Sequence, residues 1–281
     1  MNSLATIQSI ASRAPRAKTR DLTAGSGLFA QIPNVNSCGC LFACKWVNDA
    51  YWGPIIQLRR SNDNLIADFY IDASGINIGT ALGGKGTSLS TWLGGNTAYV
   101  VIWYDQSKSG RIGNNNATQS TQSSQPIFDT VNKYITFNNT QTLVITTMPL
   151  STGNVSYTIF TKIGSVSSTA NTTLMTIGNR VLGQNVAIVF TSSNQPQHNW
   201  VSYQWIVPTT ITNNAKMTIM YDLTKRYMYI NGTEYSIATT GHNQVNGLSE
   251  LGWKNYVGSL THFWVYNTNF TATDRALCET I

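Results

Sequence analysis

The chain has 281 residues, of which 42% are hydrophobic and only 11% charged. That length suits one large all-β domain or two small ones, and the apolar share is enough to bury a substantial core. A disordered chain and a long-helix protein are excluded, because Asn, Thr, Ser, Tyr and Trp favour strands and hydrogen-bonded turns over exposed helices.

The formal charge of +6 is unevenly placed. Arg13, Arg16, Lys18 and Arg20 precede the first acid, Asp21; removing those four from the 18 basic residues leaves 14 against 12 acidic. The basic balance therefore belongs to a tail. Residues 1–35 lack periodicity and read as a basic flexible arm and linker, in preference to an organellar transit peptide, and residues 36–281 read as one β-sandwich. An arm of this kind suits a neighbouring subunit, an acidic lipid surface or nucleic acid, and four positive charges do not choose among them; neighbouring subunits are the expected partners and nucleic acid is not. No apolar run reaches eighteen residues, so no membrane span is expected. Of the four cysteines, Cys38, Cys40, Cys44 and Cys278, the three in the C-x-C-x3-C cluster lack the partner pair of a zinc site. Buried free thiols are the first expectation and a Cys44–Cys278 disulfide the alternative.

From Cys38, "CLFACKWVNDAYWGP" has apolar residues at helical spacing through Leu41, Cys44 and Val47, which predicts a short helix stopped by Gly53 and Pro54. "IIQLRR" and "LIADFYI" flank the turn "SNDN" and predict a hairpin over 55–71. Gly75 to Gly86 reads as a loop, "TSLSTWLGG" as a second short helix with a glycine stop, and "AYVVIWY" as a buried strand. Strands then follow at "KYITFN", "SYTIFTKIG", "TLMTIGN", "NVAIVFTSS", "WVSYQWIVP" and "AKMTIMYD". "YMYINGTEY" carries the Asn-Gly hairpin signal, and "TNFTATDRALCE" predicts a C-terminal helix behind a Thr cap. Many short strands with regular turns imply a sandwich.

Three segments invite a functional reading. In "VIWYDQSKSG", Asp105 and Gln106 end a strand; an Asx-turn that holds the fold is preferred to a catalytic acid. Trp52, Trp200, Trp205 and Trp253 offer flat faces for sugar rings, although core packing is the commoner fate of any one tryptophan. His198, His242 and His262 are scattered, no nucleophile elbow or phosphate loop is present, and no cofactor or metal is implied.

The set "GPIIQLRRSNDN", "VIWYDQSKSG", "NNATQSTQSSQP", "YITFN", "YMYINGTEY" and "GSLTHFWVYNTNFTATD" resembles the concanavalin-A-like jelly-roll sandwiches, and among them the catalytic domain of the arabinofuranosidase B type, over roughly residues 38–281. The resemblance implies a Glu where this chain has Thr173 and an Asp where it has Trp253 and Lys254. It also leaves few acids to compensate, since Glu234 and Glu279 are expected to be solvated. The expectation is accordingly a non-catalytic structural or assembly protein, such as a minor capsid or surface component of a virion assembled inside a cell, with neighbouring subunits as partners. The alternative is a lectin-like glycan-binding module at a cell surface or outside the cell, with an arabinofuranosidase-type hydrolase third.

Overall fold

The computed structural model describes residues 37–45, 47–48, 51, 53–71, 78–81, 87–107, 115–168, 170–181, 183–200, 203–239 and 241–280. The arm bearing Arg13, Arg16, Lys18 and Arg20, and also Trp52, lie outside them. In chain order the first strands are β1 (Cys38–Ala43), β2 (Ile56–Arg60), β3 (Ile66–Ile71), β4 (Ile78–Ala81), β5 (Thr87–Ser88), β6 (Ala98–Trp103), β7 (Ala117–Thr118), β8 (Ile127–Asp129), β9 (Tyr134–Asn138) and β10 (Leu143–Ile145). There follow β11 (Tyr157–Val166), β12 (Thr172–Gly178), β13 (Asn185–Phe190), β14 (Pro196–Trp200), β15 (Tyr203–Ile206), β16 (Ala215–Tyr221), β17 (Lys225–Ile230), β18 (Thr233–Ala238), β19 (Ser249–Leu251) and β20 (Val257–Tyr266). Two short helices, α1 (Leu89–Leu93) and α2 (Ala272–Glu279), complete the described elements.

The pairing is antiparallel throughout and defines an all-β sandwich. One layer is centred on β20, which pairs with β1, β9 and β11, and continues from β11 through β16 and β17 to β18. The other runs from β5 through β4, β3, β2, β6, β7, β10, β19, β12, β13 and β14 to β15. Hydrogen bonds through β8 stitch β6 to β9, so the two layers share one seam. Between them lies a core that includes Phe42, Leu58, Phe69, Trp103, Ile159, Ile188, Trp200, Met217 and Phe263. The outer face of the β20 layer is covered in turn: Phe160, Trp264, Tyr266 and Tyr229 pack with Phe270 and Cys278 of the C-terminal segment. Arg275 of α2 lies 3.6 Å over the ring of Tyr229.

Local chemistry explains most elements. Ser88 caps α1 by accepting from the Thr91 N–H, and Gly94 ends it in the left-handed region. Thr271 and Asp274 form a reciprocal capping box at the start of α2. Asn231 and Gly232, at φ 49° and 84°, supply the two left-handed residues that a two-residue hairpin between β17 and β18 needs.

Three sequence expectations are corrected. Residues 38–43 form strand β1 rather than the start of a helix. With core on one side and the α2 cluster on the other, both faces of the strand are apolar, so helical and strand spacing look alike; Leu41 and Val47 sit in the outer cluster and Cys44 in the inner one. The segment "WVSYQWIVP" contributes to two strands, because Trp200 ends β14 and Tyr203 begins β15 as register partners. Within the glycine-rich stretch, Ile78–Ala81 form β4, which pairs with β3. The cysteines are all buried and free. The Cys44–Cys278 bridge is not made, since Cys44 faces the inner core and Cys278 the outer cluster, with the β20 layer between them.

Candidate functional site

Asp105 and Gln106 follow directly on β6 and are 1% and 0% exposed. The Asp105 carboxylate accepts from the backbone N–H of Ser107 (2.9 Å), Leu41 (2.9 Å) and Asn115 (3.3 Å), and from the Ser107 hydroxyl (3.0 Å). The first of these is the Asx-turn; the second ties the turn to β1. Gln106 donates through Nε2 to the carbonyls of Ala43 and Lys45, and its own N–H reaches the Leu41 carbonyl. Burial raises the Asp105 carboxyl above its ordinary value, against the pull of these donors. With both Asp105 carboxylate oxygens bonded by backbone N–H groups and the Ser107 hydroxyl, this constellation clamps β1 onto β6.

The aromatic candidates separate by depth. Trp200 is 1% exposed, donates to the Tyr157 hydroxyl at 2.9 Å, and has its faces taken by His242 (4.4 Å) and the Arg226 guanidinium (4.6 Å). Trp205 packs partly buried against the same core. Trp200 presents no free ring face, and Trp205 is not among the residues that line the cleft. Trp253 does line a cavity, a cleft of about 390 Å³ on the outer face of β12–β15.

Strand alternation builds this cleft. Val186, Ile188 and Phe190 of β13 point into the core, so Asn185, Ala187 and Val189 point out; on β14, His198 and Trp200 are buried in the interior while Gln197 and Asn199 line the cleft. Gln204 of β15, Asn171, Thr173 and Thr176 complete the polar wall. The Asn199 side-chain oxygen, Oδ1, is buried with no partner among the described residues. The rim is a turn with three left-handed residues, Gly252 (φ 74°), Lys254 (φ 47°) and Asn255 (φ 63°), pinned to β12 by Gly252 N–H to Leu174 carbonyl (2.7 Å) and Thr173 N–H to Lys254 carbonyl (3.3 Å). A Cβ on Gly252 would lie 2.1 Å from Phe137 Cδ1. Gly252→Ala is therefore expected to cost about 3 kcal/mol, from backbone strain plus overpacking, and to displace Trp253; chemical denaturation and tryptophan fluorescence measure the two effects.

Thr173, Trp253 and Lys254, singled out by resemblance, thus meet in one cleft, although they are about eighty residues apart in sequence. The residue that sequence reasoning missed is Glu250. It stands opposite Thr176 in the β12–β19 register, so its side chain shares the cleft face, and it forms an ion pair with Arg180, a lining residue. Arg180 also lies 4.0 Å over the Trp253 ring. Its signal in the sequence is a single acid flanked by the buried Ser249 and Leu251. Glu279, expected to be solvated, is instead half-buried beside Arg275 at 3.6 Å. No group of three or more His, Cys, Asp or Glu residues among those described is arranged to hold a metal ion. No helix among the described residues is long and apolar enough to cross a membrane.

No protein-family model matches the sequence, and no curated protein does. Solved structures do match in fold. The chain is similar to a GH54 α-L-arabinofuranosidase variant soaked with 4-nitrophenyl α-L-arabinofuranoside (TM-score 0.68, 14% identity, covering 86% of this chain and 62% of that one). It is also similar to an arabinofuranosidase complexed with arabinofuranosyl-α-1,2-xylobiose (TM-score 0.67, 15% identity, 86% and 61%). This chain therefore spans less than two thirds of those proteins. The finding corrects the expectation of a non-enzymatic virion or capsid component: both of these solved structures, which share the fold over 86% of this chain, are arabinofuranosidases and neither is a virion protein.

Proposed function

We propose that this chain is a carbohydrate-active protein that holds an uncharged sugar of arabinofuranosyl type in the cleft beneath Trp253. The observation that carries the reading is the lining. Asn171, Gln197, Asn199 and Gln204 each carry an amide donor and a carbonyl acceptor, the pairing that sugar hydroxyls use, and the Trp253 ring adds an apolar wall. The sugar type is suggested by the solved neighbours, whose bound compounds carry arabinofuranosyl groups.

Calorimetric titration with arabinofuranosyl-xylobiose tests this. Saturable binding is expected, weakened about tenfold in a Gln197→Ala/Asn199→Ala variant, as the loss of two neutral hydrogen bonds implies. No saturable binding by the folded wild type would remove the reading.

Cleavage of the bound glycoside is a second reading, favoured by Glu250. The cleft has a carboxylate behind Arg180, and transfer of a proton to or from a glycosidic oxygen or a water is the chemistry a carboxyl group supplies. Release of 4-nitrophenol from the chromogenic arabinofuranoside, abolished by Glu250→Gln while binding persists, is the expected result. Equal release by Glu250→Gln would take Glu250 out of the chemistry.

A further inference from the structure

The outer face of the β20 layer holds a second cavity, of about 420 Å³, remote from the cleft because the sandwich core lies between the two layers. Its position follows from register. His262 of β20 stands opposite Lys162 of β11, and Lys162 stands opposite Lys216 of β16, so three strands place a histidine and two lysines side by side on one face. Lys45 and Lys133 join from the segments after β1 and before β9. Four cationic side chains thus line one concavity, whose described lining includes no Asp or Glu. Like charges directly opposite each other on neighbouring strands destabilise a sheet. An anion held between Lys162 and Lys216 would offset that repulsion.

The floor supports the same reading. His262 is 3% exposed; its Nδ1 lies 2.7 Å from the Thr261 hydroxyl, and its Nε2 has no partner among the described residues. The Thr261 hydroxyl has one proton: given to Nδ1, it leaves the ring proton on Nε2 as a donor at the cavity; given to the Lys162 carbonyl at 3.4 Å, it leaves Nε2 a donor only in the charged ring. Outside the lining, Glu279 pairs with Arg275, accepts from Lys216 Nζ through its backbone oxygen and feels the Lys216 charge, while Asp129 feels that of Lys133. Lys133 Nζ donates to the Thr130 carbonyl at 2.6 Å, which places its charge at the rim. Burial, followed by the fields of Lys162 and Lys216, lowers the Lys45 ammonium to about 8, the mark of cations crowded together.

We propose that this cavity is an oxyanion site, binding the phosphate or sulfate group of a small ligand between Lys162 and Lys216, with His262 Nε2 at its floor. Lysine ammonium groups act there as charge donors, and the buried imidazole adds a directed hydrogen bond. The proposal does not depend on the sugar reading of the cleft.

The test uses the whole chain at an ionic strength held near ~0.15 M with sodium chloride, so that general screening is constant. Inorganic phosphate and inorganic sulfate are titrated by calorimetry and by thermal shift. Saturable binding is expected, at least about tenfold weaker in Lys162→Met/Lys216→Met. That variant relieves the repulsion while keeping most of the aliphatic stems, so without anion it should melt no lower than wild type, which separates a lost site from a lost fold. Trp253→Ala should bind phosphate as wild type does. A sugar phosphate and a sugar sulfate run in parallel tell the sources apart: the ester that competes with the inorganic ion in wild type and not in the double variant identifies the ligand. If neither ion nor ester saturates, or the double variant binds them equally, the proposal is overturned.

Discussion

Lowering the pH from about 6.5 to about 5 is expected to remove roughly 5 kcal/mol of folding stability, a large share of the ~5–15 kcal/mol that domains commonly have. The cause is that all three histidines of the chain are buried, His198 at 0%, His242 at 1% and His262 at 3% exposure. Burial drives each imidazole below its ordinary value, His242 to about 4 and the other two well down. Cations add to this: Arg226 acts on His198 and His242, and Lys45, Lys162 and Lys216 act on His262. In the unfolded chain the same rings take up protons near ~6.5. Between the folded and unfolded values the unfolded state binds more protons, so stability rises with pH and is lost as pH falls. Each ring contributes about 0.7 kcal/mol per pH unit near pH ~6.5, where the unfolded ring is half protonated, rising to about 1.4 near pH ~5, which sums to about 1.6 kcal/mol per ring over the window. Asp105 and Glu279, which burial raises, act in the opposite sense nearer the carboxylate range. Urea midpoints at half-unit pH steps read the slope directly, and a flat profile across this interval would contradict the burial of neutral rings. Bound anion at the lysine cavity should soften the His262 share, since it favours the charged ring.

Asp105→Ala should be the most damaging single substitution outside the aromatic core, costing about 4 kcal/mol. It leaves the N–H groups of Leu41, Ser107 and Asn115 and the Ser107 hydroxyl without their acceptor, in a place water does not reach. Asp105→Asn should cost roughly half as much, because one oxygen remains for Leu41 and Ser107 while the new amide hydrogens face the Asn115 N–H. Denaturant unfolding measures both. The accompanying expectation is that Asp105→Asn, where it folds, binds sugar as wild type does, since the clamp touches no residue of the cleft. A selective loss of sugar affinity at unchanged stability would return Asp105 to the list of ligand contacts.

How far the sequence could be read depended on whether a segment has one apolar face or two. Hairpins with a wet side, such as β2–β3 and β17–β18, announce themselves by alternation and turn chemistry. Strand β1, apolar on both faces, imitates a helix at three-residue spacing until its partners are known. The cleft was legible only in part. Thr173 and Trp253 were marked by likeness, but Glu250 sits on a three-residue strand too short to show a period, and its orientation follows from pairing with β12. The lysine cavity was illegible for a related reason. Positions 45, 133, 162 and 216 carry no common pattern along the chain and become neighbours only through the ladder joining β20, β11 and β16.

The position of β20 bears on how the protein is made. Three strands, β1, β9 and β11, depend on it as their common neighbour, and Cys38 waits for Tyr266 across nearly the whole polypeptide. A ribosome therefore releases the flanks of this sheet long before the piece that joins them. Until residues 257–266 emerge, those strands expose unpaired edges of the kind that invite aggregation, so the yield of native protein should respond to translation speed and to chaperones that shield nascent chains.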